Sequence, residues 1–125
     1  MTNYQVGDFL IRLKNAGMAG IKTITCRSSR LILGVAEALK EERFLDSFEN
    51  NKGYITVKLA LFKKKAVLSN VKIVSRPGLR IYMSADEISD YKKPEVLILT
   101  TPKGVMSGNK AKTERVGGEL IAKII

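Results

Sequence analysis

Val74 to Tyr82 read VSRPGLRIY, a stretch in which Arg76 and Arg80 flank a Pro-Gly corner and the aromatic Tyr82 follows. A solvated turn needs polar residues, yet Asp, Asn or Ser would meet that need. Arginine adds a planar fork matched to phosphate, and tyrosine adds a flat face with a hydroxyl. The chemistry on offer is the binding of a polyanion. A second stretch, TTPKGVMSG from Thr100 to Gly108, leaves an apolar run for a loop of hydroxyls, a lysine and glycines. Short hydroxyls reach base edges and 2′-OH groups, Lys103 neutralises phosphate, and glycine lets backbone approach backbone. The G-x-x-x-x-G-K spacing of a triphosphate-binding loop is missing, and the stretch also fits a plain strand-to-helix connection. A third, VGGEL from Val116 to Leu120, holds Gly117 and Gly118. Gly117 fits a helix C-cap with Gly118 as a spacer. Alternatively the pair permits close backbone contact with a ligand, while Glu119 accepts hydrogen bonds from RNA donors or forms half of a salt bridge.

Composition narrows the chemistry. The 125 residues suffice for one domain of average size or two very small ones. The apolar fraction of 45% belongs to a chain that folds, and with no Trp the core falls to Ile, Leu, Val and Ala. Lys and Arg number 22 against 12 Asp and Glu, a net charge of +10 that solubility does not require. Asn50 to Ala85 contains eight basic residues and no acid, and Val96 to Thr113 is acid-free with Lys103, Lys110 and Lys112. Ordinary surfaces intersperse the signs, so these windows point to one anion-facing surface in the second half. Histidine is absent and Cys26 is the single thiol. No base is therefore at hand to activate a nucleophile, and neither a metal-ligand cluster nor an internal disulfide can form. No catalytic residue, cofactor or metal is expected. No run reaches the ~18 apolar residues of a membrane span and no signal-peptide plan is visible, so the expected location is the reducing cytoplasm.

The elements that must position these residues follow from periodicity. Val6, Phe9, Leu10 and Leu13 predict a helix capped by Asn3 and stopped at Gly17 or Gly20. Lys22 to Arg27 alternates as a short strand. Ser28 or Ser29 then caps a second helix with a buried stripe of Leu31, Ile32, Val35, Ala36 and Leu39. Phe44 to Phe48 and Tyr54 to Phe62 predict a hairpin around NNKG, with Ile55, Val57, Leu59 and Leu61 on its buried face. FKKKA at 62–66 reads as a linker between an αβαββ unit, residues 1–63, and a mainly β unit with a short helix, residues 64–125. In the second unit strands are expected at 67–75, 79–83, 96–101 and over GGELIAKII, with a capping box at Ser84 and Glu87 and a brief helix at 108–116. The expected class is α+β, in two small domains.

Taken together and in this order, the motifs resemble the family of the small-subunit ribosomal protein numbered eight. The likeness rests on Ser28-Ser29-Arg30, on LKEE from Leu39 to Glu42 with Phe44, on VSRPGLRIY, on KGVM from Lys103 to Met106 and on GGEL. These occur in collinear order over almost the whole chain. The resemblance implies a structural constituent of the small ribosomal subunit, not an enzyme. Such a protein binds a helix in the central domain of small-subunit ribosomal RNA directly and supports assembly. It implies RNA contacts at Arg80, Tyr82, Thr100, Thr101, Pro102, Lys103, Gly104, Gly117, Gly118 and Glu119 in the second domain. Arg12, Lys14, Asn15, Ser29 and Arg30 add backbone contacts from the first, and Arg76 joins them on its own chemistry. Implied partners are that RNA and neighbouring small-subunit proteins, number five first and number twelve second, with no membrane and no small-molecule substrate. Repression of its own operon's messenger RNA is an alternative role. A DNA-binding regulator would share the charge, but no helix-turn-helix or basic-zipper plan is visible.

Three departures from the family's pattern stand out. Tyr4-Gln5 replaces an Asp-Pro pair ahead of the first helix. TTPKG replaces Ser-Thr-Ser-Lys-Gly, so Pro102, which lacks a donor and fixes φ, stands where a serine is usual. The contact that serine makes is then either lost or supplied by Thr101. SGNK replaces a Thr-x-x-Glu cap, which should weaken the short helix and add charge toward the RNA.

Overall fold

The computed structural model describes residues 5–125, so Asn3, the expected cap of the first helix, and Tyr4 lie outside the described residues. Helix α1 (Gln5–Ala19) buries Val6, Phe9, Leu10, Leu13 and Ala16, the stripe its spacing predicts. It closes in a Schellman motif, with Ile21 N–H donating to the Ala16 carbonyl at 2.8 Å and Gly20 N–H to Gly17 at 3.3 Å. Strand β1 (Thr23–Arg27) leads to α2 (Arg30–Glu41), capped by Ser29, whose Oγ accepts from Ile32 N–H at 3.1 Å. Ile32 takes the inward position in the first turn of α2, which leaves Leu31, expected in the buried stripe, 40% exposed.

Strands β2 (Leu45–Asn51) and β3 (Tyr54–Leu59) form the expected hairpin, and β1 adds to β3 to give an antiparallel sheet in the order β1-β3-β2. Ile55, Val57 and Leu59 are buried, but Leu61 is not. The reason is that Leu61 has left β3 for a separate ladder, β4 (Leu61–Phe62) paired with β5 (Lys65–Ala66). The FKKKA stretch, expected as a linker, is thus a tight hairpin turning on Lys63 and Lys64.

The second sheet centres on the last strand. Strands β6 (Val71–Ile73) and β7 (Tyr82–Met83), much shorter than expected, both pair with one side of β10 (Gly118–Ile124). On its other side β10 pairs with β8 (Val96–Thr101), which pairs in turn with β9 (Gly104–Ser107), all antiparallel. Strand β9 lies within the stretch expected to be a loop. Between β6 and β7, Arg76 and Leu79 exchange backbone hydrogen bonds of 2.9 Å around Pro77-Gly78. Gly78 has φ +85°, as the third position of a type II turn demands. Helix α3 (Ala85–Asp90) has the full capping box between Ser84 and Glu87, and α4 (Gly108–Glu114) follows β9 directly.

Two apolar clusters cover the second sheet. The larger joins Phe9, Leu13, Leu39 and Val57 to Leu68, Val71, Ile98, Ile121 and Ile124. The smaller, of Ile88, Leu97, Leu99, Met106, Ala111 and Leu120, lies on the opposite face. A strand buried on both faces needs no polar alternation, which explains the continuous run Val96–Leu99. Helix α2 reaches β9 by way of Gly34, where a Cβ would stand 2.9 Å from the Val105 Cβ.

Tyr91 donates to the Glu95 carboxylate at 2.6 Å. Burial, then that hydrogen bond and the carboxylate's charge, push the phenol up to about 12. Because the folded value exceeds the ordinary one near 10, the phenol's contribution to stability is present below about pH 10 and is lost as pH rises toward 12.

Two outcomes are expected here. Gly34→Ala should force α2 from β9 at about 1–3 kcal/mol, offset by about 1 kcal/mol of helix propensity. In a Val105→Ala background the same change should become neutral or stabilising, as urea denaturation of the four proteins would read. Tyr91→Phe should abolish a late component, centred near pH 12, in the absorbance titration of the tyrosines at alkaline pH.

Candidate nucleic-acid interface

The start of β10 gathers most of the second-half residues. Glu119 stands opposite Tyr82 of β7 on one side and Thr100 of β8 on the other, so these three side chains share a row on one face. Tyr82 is 67% exposed. Glu119 accepts from an Arg80 guanidinium nitrogen at 3.0 Å, which ties the arginine to the same row. A Cβ on Gly118 would collide with the Thr100 carbonyl oxygen, and one on Gly117 would stand 2.5 Å from the carbonyl oxygen of Met83. The close backbone approach that the glycine pair permits is therefore made within the chain. Nor does Gly117 cap α4. Arg115, at φ 57°, takes that place, with Val116 N–H closing on the Ala111 carbonyl at 3.2 Å.

Thr101 pairs with Gly104 across a two-residue turn that presents Pro102 and Lys103. Its hydroxyl donates to the Gly104 carbonyl at 2.8 Å and accepts from Lys103 N–H at 3.1 Å, with the residue only 7% exposed. Both hydroxyl functions are engaged in shaping the turn, whereas the side chain was expected to be available for contacts outside. What the turn exposes is Pro102, Lys103 and Gly104. Ser107 caps α4 by accepting from Lys110 N–H at 3.3 Å, so the helix forms without an acidic cap partner. Lys110, expected to face the ligand, lies 4.0 Å from Glu41 of α2 instead.

Helix α2 and β9 run side by side in the same sense. Gly34 meets Val105, and further along Glu42 accepts from Asn109 at 3.0 Å. Ser29 and Arg30, one turn before Gly34, thus lie toward the same end as the Lys103-Gly104 turn. Ser29 spends its oxygen on the helix cap, and Ser28 donates to Asn50 at 3.1 Å, which leaves the exposed Arg30 as the charged group of this corner. Arg12, Lys14 and Asn15 ride on α1, a separate element that packs against α2, β1, β5 and β6. Arg12 donates to the Thr25 carbonyl at 3.1 Å. Arg76 is not in the Tyr82 row. It lines a shallow groove with Lys72, Leu79, Ile81 and Lys123.

The acid-free windows of the sequence are not acid-free surfaces. Glu119, Glu114 and Glu41 approach Arg80, Lys103 and Lys110 from outside those windows. The Lys103 and Lys110 pairs are exposed and worth about 0–1 kcal/mol, so an incoming phosphate can displace those carboxylates at little cost, whereas Glu119 is largely covered and hydrogen-bonded to Arg80. Sequence reasoning missed Ser75, which is 1% exposed, donates to the Leu120 carbonyl at 2.6 Å and accepts from Ile81 N–H at 3.0 Å. It holds the Pro-Gly hairpin on β10 where the ladder is interrupted. A lone hydroxyl inside the run VKIVS was the available signal.

The fold and this sheet end define an α+β protein with a basic surface built from strand termini and one tight turn. The chain belongs to the ribosomal protein S8 family, whose model matches residues 5–125. It is similar to small ribosomal subunit protein uS8 of Paracidovorax citrulli, at 36% identity over 124 residues that cover 95% of each chain. The uS8 proteins of Mesoplasma florum, at 38% identity over 98% of each chain, and of Mycoplasma mycoides, at 37% over 99%, are likewise similar.

The engaged hydroxyl of Thr101 generates a prediction. Thr101→Val should leave the Lys103 amide and Gly104 carbonyl without their partner and lower stability by about 1–3 kcal/mol, measured as a shift of the urea midpoint. Thr100→Val should shift it less.

Proposed function

We propose that this chain is a structural constituent of the small ribosomal subunit, not an enzyme, and that it binds the central domain of small-subunit ribosomal RNA and supports its assembly. The observation that carries this reading is the row of Tyr82, Glu119 and Thr100 beside the exposed Lys103-Gly104 turn. Membership of the ribosomal protein S8 family and relatives named as small ribosomal subunit proteins support it. Arg80 and Lys103 neutralise phosphates, Tyr82 offers its ring and hydroxyl, and Glu119 accepts from 2′-OH or base donors while orienting Arg80. Duplex RNA is read by shape, phosphate and 2′-OH, and its sequence where bases are splayed. This mixed set therefore suits a helix with an irregular internal loop. Residues 64–125 carry the selective contacts in this reading, and residues 1–63 add backbone contacts through Arg12, Lys14, Asn15 and Arg30.

Affinity for the central-domain helix should fall with salt by about 0.7–0.9 in log K per log unit for each neutralised phosphate, a slope near −4 for about five contacts. Lys103→Ala should flatten that slope by nearly one unit and weaken all RNAs alike. Tyr82→Ala should reduce discrimination between the helix and a version with its internal loop closed. A slope shallower than about −2, measured by filter binding across a salt series, would mean that the basic surface meets another partner.

A further inference from the structure

The β4–β5 hairpin stands apart from the surface just described. Ser69, three residues after it, donates its N–H to the Ile125 carbonyl at 2.7 Å, beyond the far end of β10. Glu119 lies near the other end of that strand, roughly 20 Å away at the rise of an extended chain. The hairpin rests on the C-terminal end of α1, where a Cβ on Gly17 would stand 3.0 Å from the Ala66 Cβ.

Its composition does not suit a mere connection. The two turn residues Lys63 and Lys64 have φ of 52° and 68°. Left-handed backbone disfavours any residue with a Cβ, and two-residue hairpin turns of this kind select Asn and Gly. Lysine at both positions gives up that local preference and places two cations at the tip, beside a third at Lys65. No ion pair involves these three among the described residues. Phe62 is 67% exposed, and the Lys63 amino group lies 5.4 Å from its ring centroid. An aromatic face beside unpaired cations is the arrangement that holds a stacked base and its flanking phosphates. Three neighbouring cations with no ion pair among the described residues match a phosphate-bearing strand better than a protein surface, which intersperses the signs. One base and two or three phosphates fit the hairpin.

We propose that the β4–β5 hairpin is a second RNA-binding site, specific for unpaired nucleotides, in which Phe62 stacks on a base and Lys63, Lys64 and Lys65 hold the adjoining phosphates. It goes beyond the reading above, because neither these residues nor an unpaired strand belongs to the Tyr82 row. With both sites occupied, the protein would link two RNA segments separated by the length of β10.

The test uses the full chain and a fluorescein-labelled single-stranded RNA of twelve uridines, read by anisotropy at low salt. Phe62→Ala should weaken binding at least about fivefold, and Phe62→Leu nearly as much, because leucine keeps apolar area but offers no flat face. Lys63→Gly/Lys64→Gly, which suits the left-handed turn and should fold at least as well, should flatten the salt slope by about 1.4. None of these variants should change affinity for the central-domain helix more than twofold. Unchanged binding of the single strand by all variants would overturn the proposal. So would retention of affinity by Phe62→Leu, which would mean an apolar contact, or equal losses toward both RNAs, which would mean general attraction by charge. Failure of the Tyr82 surface to bind the helix would leave these single-strand results standing on their own.

Discussion

The backbone of β10 passes so close to Thr100 that Gly118 has no room for a side chain, and the geometry of the sheet end is built around that contact. With β10 held against β8 on one side, Met83 and Tyr82 close on the other, and Glu119 is left between a threonine and a tyrosine. The Arg80–Glu119 pair and the placement of the Lys103 turn follow from this register. The glycines are thus framework residues, and the groups able to touch a polyanion are those the framework orients. Ser75 serves the same framework from below, because its hydroxyl replaces ladder bonds missing between β6 and β7.

Much of this was legible in the sequence. The α1 stripe, the α2 cap at Ser29, the capping box at Ser84 and the β2–β3 hairpin each announce themselves through local spacing, and local spacing is what a sequence displays directly. The failures turn on contacts that spacing does not display, some only two or three residues away and some far along the chain. Leu61 keeps the two-residue period of β3, yet the strand ends before it. Val105 and Met106 read as loop because the hydroxyls, lysine and glycines before them do not display the two-residue turn on which β9 pairs back with β8. The Thr101 hydroxyl was legible as a donor, but its burial in its own turn was not. Acid-free windows likewise said nothing of the glutamates that approach from other elements.

A pattern in the turns is visible only with dihedral angles in hand. Every described non-glycine residue with positive φ is basic: Arg43, Lys52, Lys63, Lys64 and Arg115. Left-handed residues sit at chain reversals, where side chains project from the surface. The chain therefore carries part of its charge on protruding corners, in addition to the charge at the sheet end. Net charge attracts a polyanion over distances near the Debye length, and charged corners are the first groups such a partner meets.

Strand β10 is the centre of the second sheet, because β6, β7 and β8 all pair with it. Ile121, Ala122 and Ile124 complete the cluster that α1 begins with Val6, Phe9 and Leu10, more than a hundred residues earlier. Helix α1 finds partners in α2 and β1 close by in sequence, whereas β6, β7 and β8 join into one sheet only through β10. Contacts of such long sequence separation slow folding, because the loop between them must close before they reward it. The first sheet and its helices assemble from neighbouring segments, so the arrival of β10 is the event that turns three separate strands into a sheet.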